Sequence, residues 1–396
     1  MIFEYIDTSN TRKTISLDNK YNKEDGWYYL QTESKLEFIE KFIALYKSRQ
    51  KIVLFDPKHK QLLDFYTQNN INEFMGIENL SLDTKLLFFT SGSSGFPVGA
   101  FKTKQNLENE VKSLCEVLSQ RSIKKVIVTV PFVHIYGILV GLLLPLELRD
   151  ITLVVKEDFL PYEIIEETKD GNCLVVTTPV FIKALAKLSE NKPIENSLFI
   201  SSTAPLSRED VVVFHEKYNC DVMQLFGSTE TGGIAYKFND NIIWKPLKGV
   251  DIATKDNKLN VLSPFVSEYL LTNCIQKNPQ PYQTEDIVTI QEDGFILLGR
   301  SNKLIKIAGK RISALQIEKI LEEIPEVTKA IVELVYKKEL LRSEQIVITL
   351  ETSQKIDKKV LKEKISEYYG VITIPFQVKY VDKINYSSMG KKVVFS

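Results

Sequence analysis

Two short runs in this 396-residue chain combine glycine, hydroxyl and carboxylate groups in an order suited to phosphate chemistry. The first is Thr90-Ser91-Gly92-Ser93-Ser94-Gly95-Phe96-Pro97-Val98-Gly99. Its glycines let the backbone turn tightly and approach a ligand, while N–H groups and hydroxyls can surround phosphate oxygens. The second is Phe226-Gly227-Ser228-Thr229-Glu230-Thr231-Gly232-Gly233. Here a threonine can offer its hydroxyl to phosphate, and the adjacent glutamate can offer a carboxylate to Mg²⁺, a hard cation that prefers oxygen. Three further runs follow: Tyr282-Gln283-Thr284-Glu285-Asp286, the basic stretch from Gly299-Arg300 to Lys310-Arg311, and Tyr386-Ser387-Ser388-Met389-Gly390-Lys391-Lys392. Taken singly, each has an ordinary explanation as a flexible connector, a turn with a helix cap or a solvated tail.

The elements that must position these residues are legible from periodicity. Leu86-Leu87-Phe88-Phe89 reads as a buried strand before the first run, and Leu107, Val111, Leu114 and Leu118 recur at helical spacing after it. The expected order is strand, loop, helix. Val126–Val130, Leu153–Val155, Leu174–Val176 and Leu198–Ile200 are apolar runs of strand length, and helical patterns such as Val180–Leu188 alternate with them. Such alternation predicts α/β layering with largely parallel strands. Another strand, Val222–Leu225, leads into the second run. From about 247 to 298 short strands with turn signals take over, which predicts a small β-rich subdomain. Beyond Gly299-Arg300 the order becomes αββαβ. A helix through Ile317, Ile320, Leu321 and Ile324 ends at Pro325, and strands are expected at Thr328–Val335 and Glu344–Leu350. A helix through Val360, Leu361, Ile365 and Tyr368 and a strand at Phe376–Val381 complete it. The predicted architecture is a large N-terminal domain of layered α/β sheets, 1–298, and a small α+β C-terminal domain, 299–396.

Composition excludes several classes. Lys+Arg 51 balances Asp+Glu 51, so no global field favours nucleic acid or an anionic membrane. The content is 44% hydrophobic and 26% charged, as in globular proteins with sizeable cores. Ile135–Leu146, the longest apolar stretch, is too short to cross a bilayer. Cys115, Cys173, Cys220 and Cys274 are widely separated and form no CxxC, so neither a zinc site nor a disulfide framework is expected. The start lacks a basic leader followed by an apolar core. A cytoplasmic protein is the resulting expectation.

Taken together and in order, the five runs resemble the motif series of the adenylate-forming (AMP-binding) superfamily: acyl- and aryl-CoA synthetases, peptide-synthetase adenylation domains and luciferases. The resemblance spans roughly residues 85–392. It implies ATP and Mg²⁺ as cofactors and a small carboxylic acid as substrate, activated to an acyl-adenylate with release of pyrophosphate. It further implies Thr90, Ser91, Gly92, Ser93, Ser94 and Gly95 around the β- and γ-phosphates, and Ser202-Thr203-Ala204-Pro205 against the adenine. Phe226, Gly227 and Ser228 would complete the nucleotide site, with Thr229 on the α-phosphate, Glu230 on the metal, and Asp286 and Arg300 at the ribose. Lys391 would bridge the acid and the α-phosphate, and Asn302 would be the pivot of a rotating C-terminal domain. Pro131-Phe132-Val133-His134-Ile135-Tyr136-Gly137 resembles an acyl-pocket segment, with His134, Tyr136 and Gly232 as candidate lining; a core histidine near a strand end is the plainer account of His134. Amino-acid-activating members place an Asp near that segment, and its absence points away from an α-amino acid.

Three departures stand out. The phosphate loop of the superfamily ends Pro-Lys-Gly, whereas this chain has Pro97-Val98-Gly99; Lys102 or Lys104 is the nearest replacement cation. Thr-Gly-Asp is here Thr284-Glu285-Asp286, which adds bulk and charge. The loop starts near residue 90, so part of the N-terminal subdomain is expected to be reduced. A small enzyme could dock a carrier protein and meet only its phosphopantetheine arm, so the expected acceptor is a phosphopantetheine thiol of an acyl carrier protein or CoA, nearly evenly, with a slight lean to the carrier. The competing reading is a catalytically degenerate nucleotide-binding protein of the same fold, supported by Val98. A P-loop NTPase is disfavoured, because the loop lacks the Gly-Lys-Ser/Thr ending.

Overall fold

The computed structural model describes residues 2–7, 9–17, 26–32, 34–54, 83–90, 98–148, 150–189, 192–272, 274–300, 304–307, 310–336, 344–369, 376–386 and 392–393. The chain divides into two compact units, Met1–Ile252 with Val261–Tyr282, and Ala253–Asn260 with Gln283–Ser396.

Parallel strands buried on both faces organise the first unit. Lys125–Val128, Cys173–Thr177, Leu198–Ser201 and the start of Asp221–Ser228 lie side by side and parallel, with Thr152–Lys156 and Ile2–Ile6 continuing the sheet on the other flank. Val126, Ile127, Val128, Leu174, Val175, Val176, Leu198, Phe199 and Ile200 are all within 1% of complete burial, which is why these strands are unbroken apolar runs. Helices Pro161–Glu167, Pro179–Lys187 and Arg208–Tyr218 cover one face, their Ile164, Ile182, Leu185, Val211 and Phe214 packing on Val175, Phe199 and Val222. Ser207 starts the last helix by accepting the Asp210 N–H at 3.0 Å, and Asn219 ends it in the left-handed conformation. The apolar stretch 135–146 forms helical turns from Ile135 to Glu147 with a π-helical segment at Leu139–Leu143, and it is core, with Ile138 to Leu144 buried throughout. No helix among the described residues is long and apolar enough to cross a membrane.

A second sheet in this unit runs Ile275–Lys277, Tyr269–Leu271, Val98–Thr103, Thr84–Thr90, Lys51–Leu54, Trp27–Leu30. It corrects the expected strand–loop–helix order. Thr84–Thr90 pairs antiparallel with Val98–Thr103, so the glycine-rich run joins the two arms of a hairpin, and the helix Lys104–Leu118 starts only afterwards. That helix is fixed by a capping box: Asn106 N–H donates to Thr103 Oγ1 at 3.0 Å, and Thr103 N–H to Asn106 Oδ1 at 2.9 Å. Leu107, Val111, Leu114 and Leu118 are all buried, as their spacing predicts.

In the second unit, Tyr282–Gln291 and Gly294–Arg300 form an antiparallel pair. The αββαβ order follows: helix Ala314–Glu322, antiparallel strands Lys329–Tyr336 and Glu344–Glu351, helix Lys358–Tyr369, and Phe376–Val381 parallel to the second strand. Ile317, Leu321, Ile324, Ile348, Leu361 and Ile365 form its core. Val360, expected in the buried stripe, is 45% exposed, because its neighbour Leu361 holds the inward position on that turn.

Candidate active site

The parallel strands of the first unit end on one edge, and most of the predicted residues of that unit follow those ends. In an open α/β sheet, ligands bind outside the carboxyl ends of the strands. Ser202-Thr203-Ala204-Pro205 follows Leu198–Ser201, whose Ser201 is in register with Gln224 of the neighbouring strand. Ser202 Oγ donates to Leu225 O at 2.8 Å, tying this segment to the strand that delivers Phe226. Thr203 adopts φ +82°, a conformation that a β-branched residue enters only when its surroundings impose it. Phe226 packs on Trp244 with ring centroids 5.3 Å apart, and Lys237 Nζ lies 4.8 Å from the Trp244 ring centre.

The Gly227–Gly233 turn is held by its own hydroxyls and by three other elements. Thr231 is fully buried; its Oγ1 accepts the Ser228 N–H at 3.0 Å and donates to Gly232 O at 2.8 Å. Glu230 O accepts the Ser267 N–H at 2.8 Å and Lys102 Nζ at 3.2 Å. Glu110, on the helix after the hairpin, accepts the Gly233 N–H at 2.6 Å. Gly232 sits at φ +72°, and a Cβ there would stand 2.5 Å from Glu110 Oε2 and 2.8 Å from Phe265 Cβ. Thr229 and Glu230 remain half-buried at the rim. The Glu230 carboxylate lies within the field of the buried Lys102 ammonium, but among the described residues it makes no hydrogen bond to it, and its oxygens can serve as hard ligands.

Lys102 is not the replacement cation that the missing loop lysine suggested. It is completely buried, with its ammonium on Phe265 O at 2.5 Å as well as on Glu230 O. Burial pushes Lys102 down from the ordinary lysine range and Glu110 up from the carboxylate range, while the field of each favours the charged form of the other. Lys104 lies on the exposed start of its helix, 3.3 Å from Glu108.

Of the acyl-pocket candidates, His134 is half-buried and its carbonyl accepts the Ile138 N–H at 3.1 Å. Tyr136 is buried, and its hydroxyl reaches Ile200 O at 2.7 Å and Thr177 O at 3.0 Å, spanning the ends of two parallel strands. Its single proton is committed to the scaffold, so Tyr136 braces this edge rather than offering a donor to a substrate. Burial drives its phenol pKa far up.

In the second unit, Asp286 and Arg300 are register partners, with Arg300 Nε 3.6 Å from Asp286 Oδ1. Burial raises the Asp286 pKa, and the Arg300 cation opposes that rise. Successive strand residues alternate faces. Glu285 therefore points away from Arg300 and pairs with Lys258 at 2.9 Å, so the bulk it adds is taken up on the other side. Lys392, next to the predicted catalytic lysine, donates to Glu322 at 2.5 Å and Ala330 O at 2.9 Å, and pairs across a short hairpin with Tyr386. The side chain of Thr90, the run Ser91, Gly92, Ser93, Ser94 and Gly95, and also Asn302 and Lys391 lie outside the described residues.

The sequence reading missed Glu110 and misplaced Lys102; a lysine directly after the apolar run Val98–Phe101 and a glutamate at helical spacing from Leu107 and Leu114 were the available signal.

The chain is 25% identical over 252 residues to the 4-coumarate–CoA ligase of Cereibacter sphaeroides, covering 63% of this chain and 56% of that protein. It is 24% identical over 345 residues to peroxisomal OPC-8:0-CoA ligase 1 of Arabidopsis thaliana, covering 78% and 62%. The chain thus spans somewhat over half the length of these curated relatives. The o-succinylbenzoate CoA synthetase of Bacillus subtilis, solved with an acyl-adenylate intermediate, shares the fold with TM-score 0.76 at 18% identity, covering 99% of this chain and 94% of that one. The profile of the AMP-binding enzyme family matches residues 32–267, more than half of the sequence, and the chain belongs to that family.

Proposed function

We propose that this protein is an acid–thiol ligase that activates a small carboxylic acid with ATP and transfers it to a phosphopantetheine thiol. The observation that carries the reading is the Gly227–Gly233 turn, whose backbone is fixed by Lys102, Ser267 and Glu110 while the half-buried Glu230 carboxylate is not used in fixing it. One carboxylate completed by substrate phosphates and water is how Mg²⁺ is usually held, and Glu230 fits that role. When bound, Mg²⁺ would neutralise phosphate charge. Thr229 would hold the α-phosphate, Asp286 would accept both ribose hydroxyls with Arg300 beside it, and the Phe226 ring and Ser202–Pro205 would flank the base. Lys391 would bring the acid carboxylate to the α-phosphorus, offsetting the repulsion of two anions. A carboxylate oxygen forms the new P–O bond as the bond to the β-phosphate bridging oxygen breaks, and pyrophosphate leaves. The thiolate then attacks the acyl carbon, and AMP leaves with the bonding pair. Within this reading residues 299–396 rotate about Asn302 between the halves, and His134 with Gly232 borders the acid. The acceptor is an acyl carrier protein or CoA, with the carrier preferred, and the compartment is the cytoplasm.

The test is pyrophosphate release across short-chain, long-chain and aromatic acids, with CoA and a carrier protein as alternative acceptors. Acid- and Mg²⁺-dependent release that collapses in Lys391→Ala supports the ligase; undiminished adenylation in that variant removes the assigned role. A second reading, nucleotide binding without turnover, draws on the burial of Lys102, which leaves Val98 uncompensated from that position. ATP binding by calorimetry with no acid-dependent turnover would select it.

A further inference from the structure

A lysine and a carboxylate are both buried beneath the turn that carries Glu230, and neither reaches its rim. Lys102 is 0% exposed and Glu110 4%. Burying charge is costly unless geometry compensates, and an apolar pair of similar volume would pack such a site at lower cost. Both side chains hydrogen-bond to backbone, while the Lys102 charge also lies in the fields of Glu110 and Glu230. The Lys102 ammonium donates to Glu230 O and Phe265 O, and Glu110 Oε1 accepts the Gly233 N–H. The turn is therefore gripped at Glu230 and again three residues later, where Gly232 leaves room for Glu110 Oε2. Lys102 also belongs to the hairpin strand that leaves the glycine-rich run, and Glu110 to the helix that follows without a break. One buried pair thus joins the hairpin of the first phosphate run to the backbone of the second.

We propose that Lys102 and Glu110 are positioning residues that hold the Thr229–Glu230 turn in the geometry needed to receive a divalent cation on ATP. This rests on the ligase reading only for the identity of that ligand. A turn fixed in advance binds the cation without first being ordered. Neither residue touches the reacting atoms, so both act through the placement of Glu230.

The test uses Lys102→Met, Glu110→Gln, their combination and Glu110→Ala, each measured for Mg·ATP affinity by calorimetry, for the Mg²⁺ and ATP dependence of pyrophosphate release, and for urea midpoint. Lys102→Met should weaken Mg·ATP binding about 10–100-fold, the usual loss for a group that orients a metal ligand. Glu110→Gln keeps an acceptor for the Gly233 N–H and should lose less than Glu110→Ala. The paired Lys102→Met/Glu110→Gln variant has no unmatched buried charge, so its urea midpoint should recover while Mg·ATP affinity stays low and the Mg²⁺ requirement stays raised. Recovery of affinity together with stability would reduce the pair to a packing role and overturn the proposal, as would wild-type affinity in a folded Lys102→Met. If the wild type binds Mg·ATP but turns over no acid, the ligase reading fails, and the affinities of the variants still decide this one. A wild type that does not bind Mg·ATP overturns both.

Discussion

Asp286 and Arg300 face each other across an antiparallel strand pair, with the guanidinium Nε 3.6 Å from the carboxylate. Burial raises the aspartate pKa and the arginine pulls it back. Because the folded value lies above the unfolded one, ionisation of Asp286 works against folding. Its contribution is fully favourable below the unfolded pKa and is lost as pH rises through the folded pKa. In the proposed ribose role binding has the opposite sign, since only the carboxylate would accept both hydroxyls. KM for ATP should therefore rise on acidification, starting at a pH above the ordinary aspartate range. Arg300→Met removes the opposing cation and should move this acid limb to higher pH, while Asp286→Asn should weaken ATP binding about 10–100-fold through loss of charged hydrogen bonds. A limb that stays in place or moves to lower pH in Arg300→Met would contradict the assignment.

Glu285 replaces a glycine of the family motif yet pairs with Lys258 on the face opposite Asp286. The pair is partly solvated, so Glu285→Ala should lower stability by no more than about 1 kcal/mol. ATP affinity should change less than about twofold, since no strand-face contact to the Asp286 side is lost and the Glu285 charge is the smallest influence on that carboxyl. Calorimetric titration of ATP and a urea curve on the variant check both halves.

Much of the fold was legible because parallel strands buried on two faces leave uninterrupted runs such as Val126-Ile127-Val128 and Leu174-Val175-Val176. The hairpin strand Val98–Thr103 was not, because Lys102 interrupts its apolar pattern. Its acceptors, Glu230 O and Phe265 O, lie 128 and 163 residues further along the chain, beyond any local window. The hydrogen bonds of Tyr136 were hidden for the same reason. Sequence shows an aromatic residue beside His134, but not that Thr177 O and Ile200 O converge on its hydroxyl. Short motifs carry ligand chemistry, whereas the groups that hold them in place are chosen by distant backbone.

Tyr136→Phe isolates that bracing role. It preserves the buried ring and removes the one proton on which Ile200 O and Thr177 O converge. The expected loss is about 1–3 kcal/mol of stability, the range for a broken buried hydrogen bond. If Tyr136 acts only as a brace, the acid preference in a pyrophosphate-release panel should keep its rank order while the urea midpoint falls. A reordered panel at unchanged stability would instead put the hydroxyl in contact with the acid.

Gly232→Ala tests the turn from the opposite direction, with Gly249→Ala as its control. Both glycines have positive φ, +72° and +83°, so alanine at either pays for a left-handed backbone, about 1–2 kcal/mol. They differ in what a Cβ would meet. At Gly249 the nearest atom is Pro264 Cγ at 3.7 Å, an ordinary contact. At Gly232 it is Glu110 Oε2 at 2.5 Å, and Glu110 cannot withdraw without releasing the Gly233 N–H. Gly249→Ala should therefore show only the backbone cost, with pyrophosphate release within about twofold of wild type. Gly232→Ala should be less stable than that control by a further ~1–3 kcal/mol of overpacking and should lose most adenylation, because the displaced carboxylate and the shifted turn move Glu230 together. Equal urea midpoints and equal rates for the two variants would mean that the turn tolerates the displacement, and that Glu230 is not held by the contacts beneath it.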